Sequence, residues 1–171
     1  MLKEMLEQVY TAYEGSEVLE QYSERHGIKS AGVLTVHDDE TAALVALSIA
    51  PQIEGKTVIE IGGGIGLLAL HMGHIAKRVY CIEANAIWSS CFLAALLAHK
   101  PKNVSYLFGA ADEFEGKISG DVAIFCTHSG VDSMKAAAAK FAPVVVDVYG
   151  ELIAAAPEKF DKTARILRTI A

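Results

Sequence analysis

Cysteine is scarce in this chain of 171 residues: Cys81, Cys91 and Cys126 are an odd number, with no CxxC spacing. That argues against a disulfide framework and against a cysteine-based zinc site. Reduced thiols fit a cytoplasmic protein. Long apolar runs are missing as well. None reaches the ~18 residues that a membrane helix needs, so no membrane span is expected. The opening MLKEMLEQVY is charged throughout and does not read as a secretory leader. Basic residues are in deficit, with 15 Lys+Arg against 21 Asp+Glu. An acidic surface repels phosphate backbones, which argues against nucleic acid as a partner. The sequence also shows no internal repeat, no low-complexity linker and no domain boundary. Residues 1–171 therefore read as one domain, long enough to bury a core without staples.

What the chain does contain is alternation. Residues 57–61 (TVIEI), 78–83 (RVYCIE), 103–107 (NVSYL), 121–126 (DVAIFC) and 143–148 (PVVVDV) read as short apolar strands. Helical stretches lie between them near 66–76, 85–99, 111–115 and 130–141. Near-continuous apolar strands separated by helices predict an α/β fold, a doubly wound and mainly parallel sheet covered on both faces. Before the first strand, Thr35 and Asp38 have capping-box spacing. A helix is expected from Asp39 to Ala50, stopped by Pro51. Leu2, Met5, Leu6, Val9 and Tyr13 recur at helical spacing, and Ser16 can cap a second short helix. Residues 1–30 thus read as a helical N-terminal extension. A last helix is expected over 157–170, with Phe160, Ala164, Leu167 and Ile170 on one face.

The most informative stretch is VIEIGGGIGLLAL, where the first strand should run into a helix. Ligands in open α/β sheets bind outside the carboxyl ends of the strands. Glycines there let the backbone turn sharply and approach a ligand, and a new helix offers unpaired N–H groups. A dinucleotide fingerprint requires glycines at i, i+2 and i+5. Counting from Gly62, the third position is Leu67. The spacing present is Gly62, Gly64, Gly66, preceded by the acid Glu60. It resembles the first motif of class I S-adenosylmethionine-dependent methyltransferases. The bland alternative is a glycine turn that only packs helix on strand, at the expense of chain entropy.

That resemblance covers about residues 55–150. It implies a Rossmann-like sheet of about five strands in the order 3-2-1-4-5, here expected to lack the family's C-terminal hairpin. It implies S-adenosyl-L-methionine as cofactor, with Glu60, Ile61, Gly62, Gly63, Gly64 and Gly66 around its methionine end. Glu83, followed by Ala84, stands where the family's ribose-binding acid stands; the alternative is an acid favoured by a helix dipole. Ala111 and Asp112 match the adenine-contacting position, although Asp112 also suits an N-cap. Thr35 belongs to the stretch that in many methyltransferases folds over the cofactor.

Methyl transfer needs alignment of a nucleophile and, at most, removal of a proton. After the fourth strand the chain reads Cys126, Thr127, His128, Ser129, not the D/N-P-P-[YFW] of amino-group methyltransferases. His128 is a candidate general base, and Asp38 a second acid that could line the pocket; a loop histidine and a dipole-favoured acid are the plain alternatives. Cys126 reads as a small buried apolar residue. His71 and His74 suggest no metal. The expected function is methyl transfer to an unidentified acceptor, a small molecule, with a corrin ring among the options. The alternatives are a non-catalytic S-adenosylmethionine-binding regulatory module and an NAD-dependent oxidoreductase. The apolar fifth strand would be a sheet edge, so the last helix or a second copy in a homodimer is expected to cover it.

Overall fold

The computed structural model describes residues 39–84, 92, 96, 100–126 and 131–148. The expected N-terminal extension, Thr35, Asp38, His128 and the helix over 157–170 lie outside the described residues. Among the described residues ten elements follow one another: α1 (Asp39–Ser48), α2 (Ala50–Ile53), β1 (Thr57–Ile61), α3 (Leu67–Met72), β2 (Arg78–Glu83), β3 (Val104–Phe108), a 3₁₀ turn (Ala111–Phe114), β4 (Val122–Phe125), α4 (Val131–Ala138) and β5 (Val144–Asp147). The five strands form one sheet in the order β3-β2-β1-β4-β5. Every pairing is parallel, with Glu60 opposite both Cys81 and Ile124.

The central strand β1 is buried on both faces, as a parallel sheet requires. On one face Val58, Val79, Val122 and Ile124 pack against Val45, Ala46 and Ile49 and against Leu68, Ala69 and Met72 of α3. On the other, Ile59, Ile61, Ile82, Ala123 and Phe125 pack against Ala138, Phe141 and Ala142. Each fully buried aliphatic side chain contributes roughly 1.5–3 kcal/mol of hydrophobic stabilisation. In α1, Ala42, Val45 and Ala46, with Ile49 just beyond, recur at i, i+3, i+4 and i+7 and form the buried face. At the amino end of the sheet, Asp121 Oδ2 accepts the Thr57 N–H at 2.8 Å and locks β4 against β1. The glycine loop of residues 62–66 lies at the opposite, carboxyl end of β1.

Two local expectations are corrected. Pro51 does not merely stop a helix at Ala50. The first helix ends at Ser48, and Pro51 sits in the opening turn of α2, where its missing N–H breaks no intrahelical bond. Asp112 is not the N-cap of the turn after β3. The cap residue is Ala110, and its N–H is held by the Glu113 carboxylate at 2.9 Å. A side chain reaching back from the third position of the turn does the work expected of a side chain at its start. The apolar edge strand is real: Val144 of β5 is 46% exposed among the described residues.

Candidate functional site

The carboxyl ends of β1 and β2 place the glycine loop and Glu83 side by side, because the two strands pair in register from Thr57↔Arg78 to Ile61↔Ile82. The chain leaves β1 with Gly62 and Gly63 both donating their N–H groups to Ile82 O, at 2.9 and 3.1 Å. Gly66 N–H donates to Gly63 O and closes the turn at 2.9 Å. Two glycines are compelled by geometry. A Cβ on Gly63 would overlap Cys81 Sγ and lie 3.1 Å from Glu60 Oε2. Gly66 has φ +78°, and its Cβ would fall 2.7 Å from the Phe92 ring. Neither position accepts an L side chain without displacement of a neighbour.

Glu83, half-buried at the end of β2, accepts the Gly64 N–H on Oε2 at 2.8 Å. The other pole of Gly64 is held too: its carbonyl accepts the Tyr106 hydroxyl at 2.6 Å. Tyr106 in turn stacks on Phe92, with ring centroids 4.3 Å apart. The N–H groups of Gly62, Gly63, Gly64 and Gly66 are engaged within the protein, so these four glycines contribute space and shape to the loop. Helix α3 behind it has only six residues.

Glu60 lies under the loop. It is the one buried charged-type residue among the described residues, with 4% of its surface exposed. Its carboxyl meets the Cys81 thiol and the Ala69 amide, while Oε2 takes no hydrogen bond among the described residues. Burial, and secondarily the Glu83 charge, push its pKa up to about 8. At neutral pH it therefore carries its proton, as a buried unpaired carboxyl does. Burial likewise raises the Cys81 thiol well above its ordinary range. Cys126, at the end of β4, is pushed up to about 12 by burial and by Glu60 and Asp147. It is partly buried against the core, and as a neutral thiol it is a poor nucleophile.

Across the mouth stand Ala84, exposed after β2, and the 3₁₀ turn with Ala111 half-buried and Asp112 exposed. Phe108 was not singled out by the sequence pattern. It is 55% exposed at the end of β3 and pairs in register with Glu83. An apolar side chain in a run of strand residues looks like core; only the strand's termination at this edge shows that it is not. Leu67, where a dinucleotide loop needs glycine, is 2% exposed and filled by a packed side chain. His71 Nε2 and Asp39 Oδ1 are 2.8 Å apart on α3 and α1, joining two helices of the same face.

The fold superposes on solved structures. A precorrin-6y C5,15-methyltransferase of Geobacter metallireducens superposes with a TM-score of 0.54 at 14% identity, over 64% of this chain and 59% of that one. The fold is the Rossmann-like methyltransferase fold. A precorrin-8w decarboxylase of Methanobacterium thermoautotrophicum shares that methyltransferase fold with a TM-score of 0.53 and 23% identity, over 67% of this chain and 63% of that one. A candidate RNA methyltransferase of Pyrococcus horikoshii does so at 0.51 and 22%, over 61% and 55%. The chain thus spans 55–63% of the length of these three structures. No protein-family profile matches the sequence. Among the described residues no helix of this methyltransferase fold is long and apolar enough to cross a membrane.

The residues present fit an adenosine-bearing cofactor. A Cβ on Gly64 would meet nothing within 4 Å among the described residues, so the loop borders space that they leave open. Around it stand a carboxylate at the end of β2, an exposed aromatic ring at the end of β3 and an exposed acid in the following turn.

Proposed function

We propose that this chain binds S-adenosylmethionine over residues 60–66 and transfers its methyl group to a small-molecule acceptor. The carrying observation is the clamp on Gly64, in which Glu83 and Tyr106 hold opposite poles of one glycine at the edge where such sheets bind ligands. A glycine turn that only packed helix on strand would need no carboxylate at its apex. The bound sulfonium supplies an already activated methyl group. Glu83 and Ala84 are assigned to the ribose, Phe108, Ala111 and Asp112 to the adenine, and Glu60, Ile61, Gly62, Gly63, Gly64 and Gly66 to the methionine end. The chain's own part in the reaction is to orient donor and acceptor and keep water away. Thr35 and Asp38 are proposed to line the pocket, and His128 to hold the acceptor proton.

Two observations support a small molecule as acceptor: the acidic charge balance, and two matched structures whose names refer to precorrin chemistry. Calorimetry with S-adenosylhomocysteine tests the cofactor reading, and absence of binding overturns it. Turnover with labelled S-adenosylmethionine against a tetrapyrrole panel and against RNA tests the acceptor. Transfer to RNA alone would replace the small-molecule assignment, and binding without any transfer would favour a regulatory module.

A further inference from the structure

The glycine loop rests on an acid that has no counter-charge among the described residues. Glu60 is enclosed between β1, β2 and α3, and Oε2 faces the underside of Gly63 without a hydrogen bond among the described residues. Among the described residues, the titratable groups that interact with it lie on β2 and at the end of β4: Cys81 and Glu83 on the one, Cys126 on the other. Helix α3, packed on the same face of the sheet, carries His71, which is paired with Asp39 of α1. Of these, the thiols stay neutral, Glu83 is a further negative charge, and the histidine is already matched by a carboxylate. Nothing in that set is a cation directed at Glu60.

We infer that Glu60 is a proton switch beneath the loop, holding its proton in the free protein and releasing it when a cationic ligand binds above Gly62–Gly64. It rests on the cofactor reading above. A positive charge brought to the other side of a one-residue-thick loop stabilises the carboxylate that burial alone disfavours. S-adenosylmethionine carries a net positive charge through its sulfonium; S-adenosylhomocysteine lacks that group. The proton goes to solvent, and the resulting carboxylate contributes attraction to the methyl donor that the demethylated product does not receive. By linkage, donor affinity then rises with pH until Glu60 is ionised in the free protein as well. The device favours exchange of product for fresh donor at the same loop.

Calorimetry reads the proton directly. At pH 6.5, below the α-amino range of the ligand, S-adenosylmethionine is titrated into the protein in phosphate and in imidazole buffer. The wild type is expected to show buffer-dependent heats corresponding to about one proton released per site. Glu60→Gln, a neutral isostere of the protonated acid, is expected to give equal heats in both buffers, and S-adenosylhomocysteine a smaller difference with the wild type. Binding with equal heats in the wild type overturns the switch and leaves the cofactor reading intact. Absence of any binding overturns both. A carbon-13 carboxyl titration of the free wild-type protein needs neither ligand nor variant. Glu60 should remain protonated at pH 6.5, and ionisation complete by pH 5.5 overturns the inference by itself.

Discussion

Glu83 Oε2 and the Gly64 N–H lie 2.8 Å apart, so the acid that ends β2 holds the apex of the loop that ends β1. One carboxylate thus both shapes the loop and stands at its mouth. Replacing it tests the two roles separately. Glu83→Gln can still accept the Gly64 N–H through its amide oxygen but loses the charge. It should keep the fold and weaken S-adenosylhomocysteine binding by about 1.5–3 kcal/mol, the range for hydrogen bonds to a charged group. Calorimetry on both proteins measures it, and equal affinities would restrict Glu83 to loop support.

Tyr106→Phe removes the hydroxyl that holds Gly64 O at 2.6 Å but keeps the stack on Phe92. The expected loss is about 0.5–1.5 kcal/mol in denaturant unfolding, typical of one hydrogen bond. Cofactor affinity should fall as well, since the loop loses one of its two anchors. A stability loss with unchanged affinity would show that Glu83 alone sets the loop.

Gly63→Ala places a methyl group on Cys81 Sγ. Overpacking of this kind costs about 1–3 kcal/mol. Adding Cys81→Ala vacates the space, so the double variant should lie closer to Cys81→Ala alone than additivity predicts. Additive losses in urea unfolding would locate the strain elsewhere, in the contact with the Glu60 carboxyl.

Phe108 is an exposed ring in register with Glu83. It is not a member of either described core cluster, so trimming it to alanine should change thermal stability little. If the ring stacks on the adenine, affinity for S-adenosylhomocysteine falls by about 1–3 kcal/mol, as in base–aromatic stacking elsewhere. Calorimetry of the variant decides between a binding surface and an idle one.

The buried Glu60 also makes stability depend on pH. Its folded pKa of about 8 stands above the ordinary carboxyl value of 4.5. Between those values the folded chain binds more protons than the unfolded one, so stability falls as pH rises through this window. The favourable contribution is fully present below the unfolded value and lost through the folded one. Urea midpoints from pH 5 to 8.5 should decline more steeply for the wild type than for Glu60→Gln, which has no proton to lose.

Much of this was legible in the order of residues. Apolar runs bounded by turn residues marked all five strands to within a residue or so, because a buried parallel strand needs an unbroken apolar segment. Four glycines around an isoleucine after an acid marked the loop. Less legible was the hydrogen bonding at each end of an element. Ala110 caps a turn through Glu113, and Pro51 opens a helix it was expected to close. Such choices turn on local geometry that several sequences satisfy equally.

By itself, then, the sequence determined the alternation of apolar strands with helices and the position of the loop, since periodicity and glycine content act locally; the strand order followed from the resemblance to class I methyltransferases and is borne out in the sheet. The tertiary structure alone decided what each polar group of the loop does. It brought Glu83 of β2 and Tyr106 of β3 onto the two poles of Gly64, and so fixed the N–H and the carbonyl at the apex of the loop. It also buried Glu60 against Cys81 and left Oε2 without a partner among the described residues. Those outcomes depend on residues far apart in the chain meeting at one sheet edge, and no local pattern records where a long-range contact will place a proton.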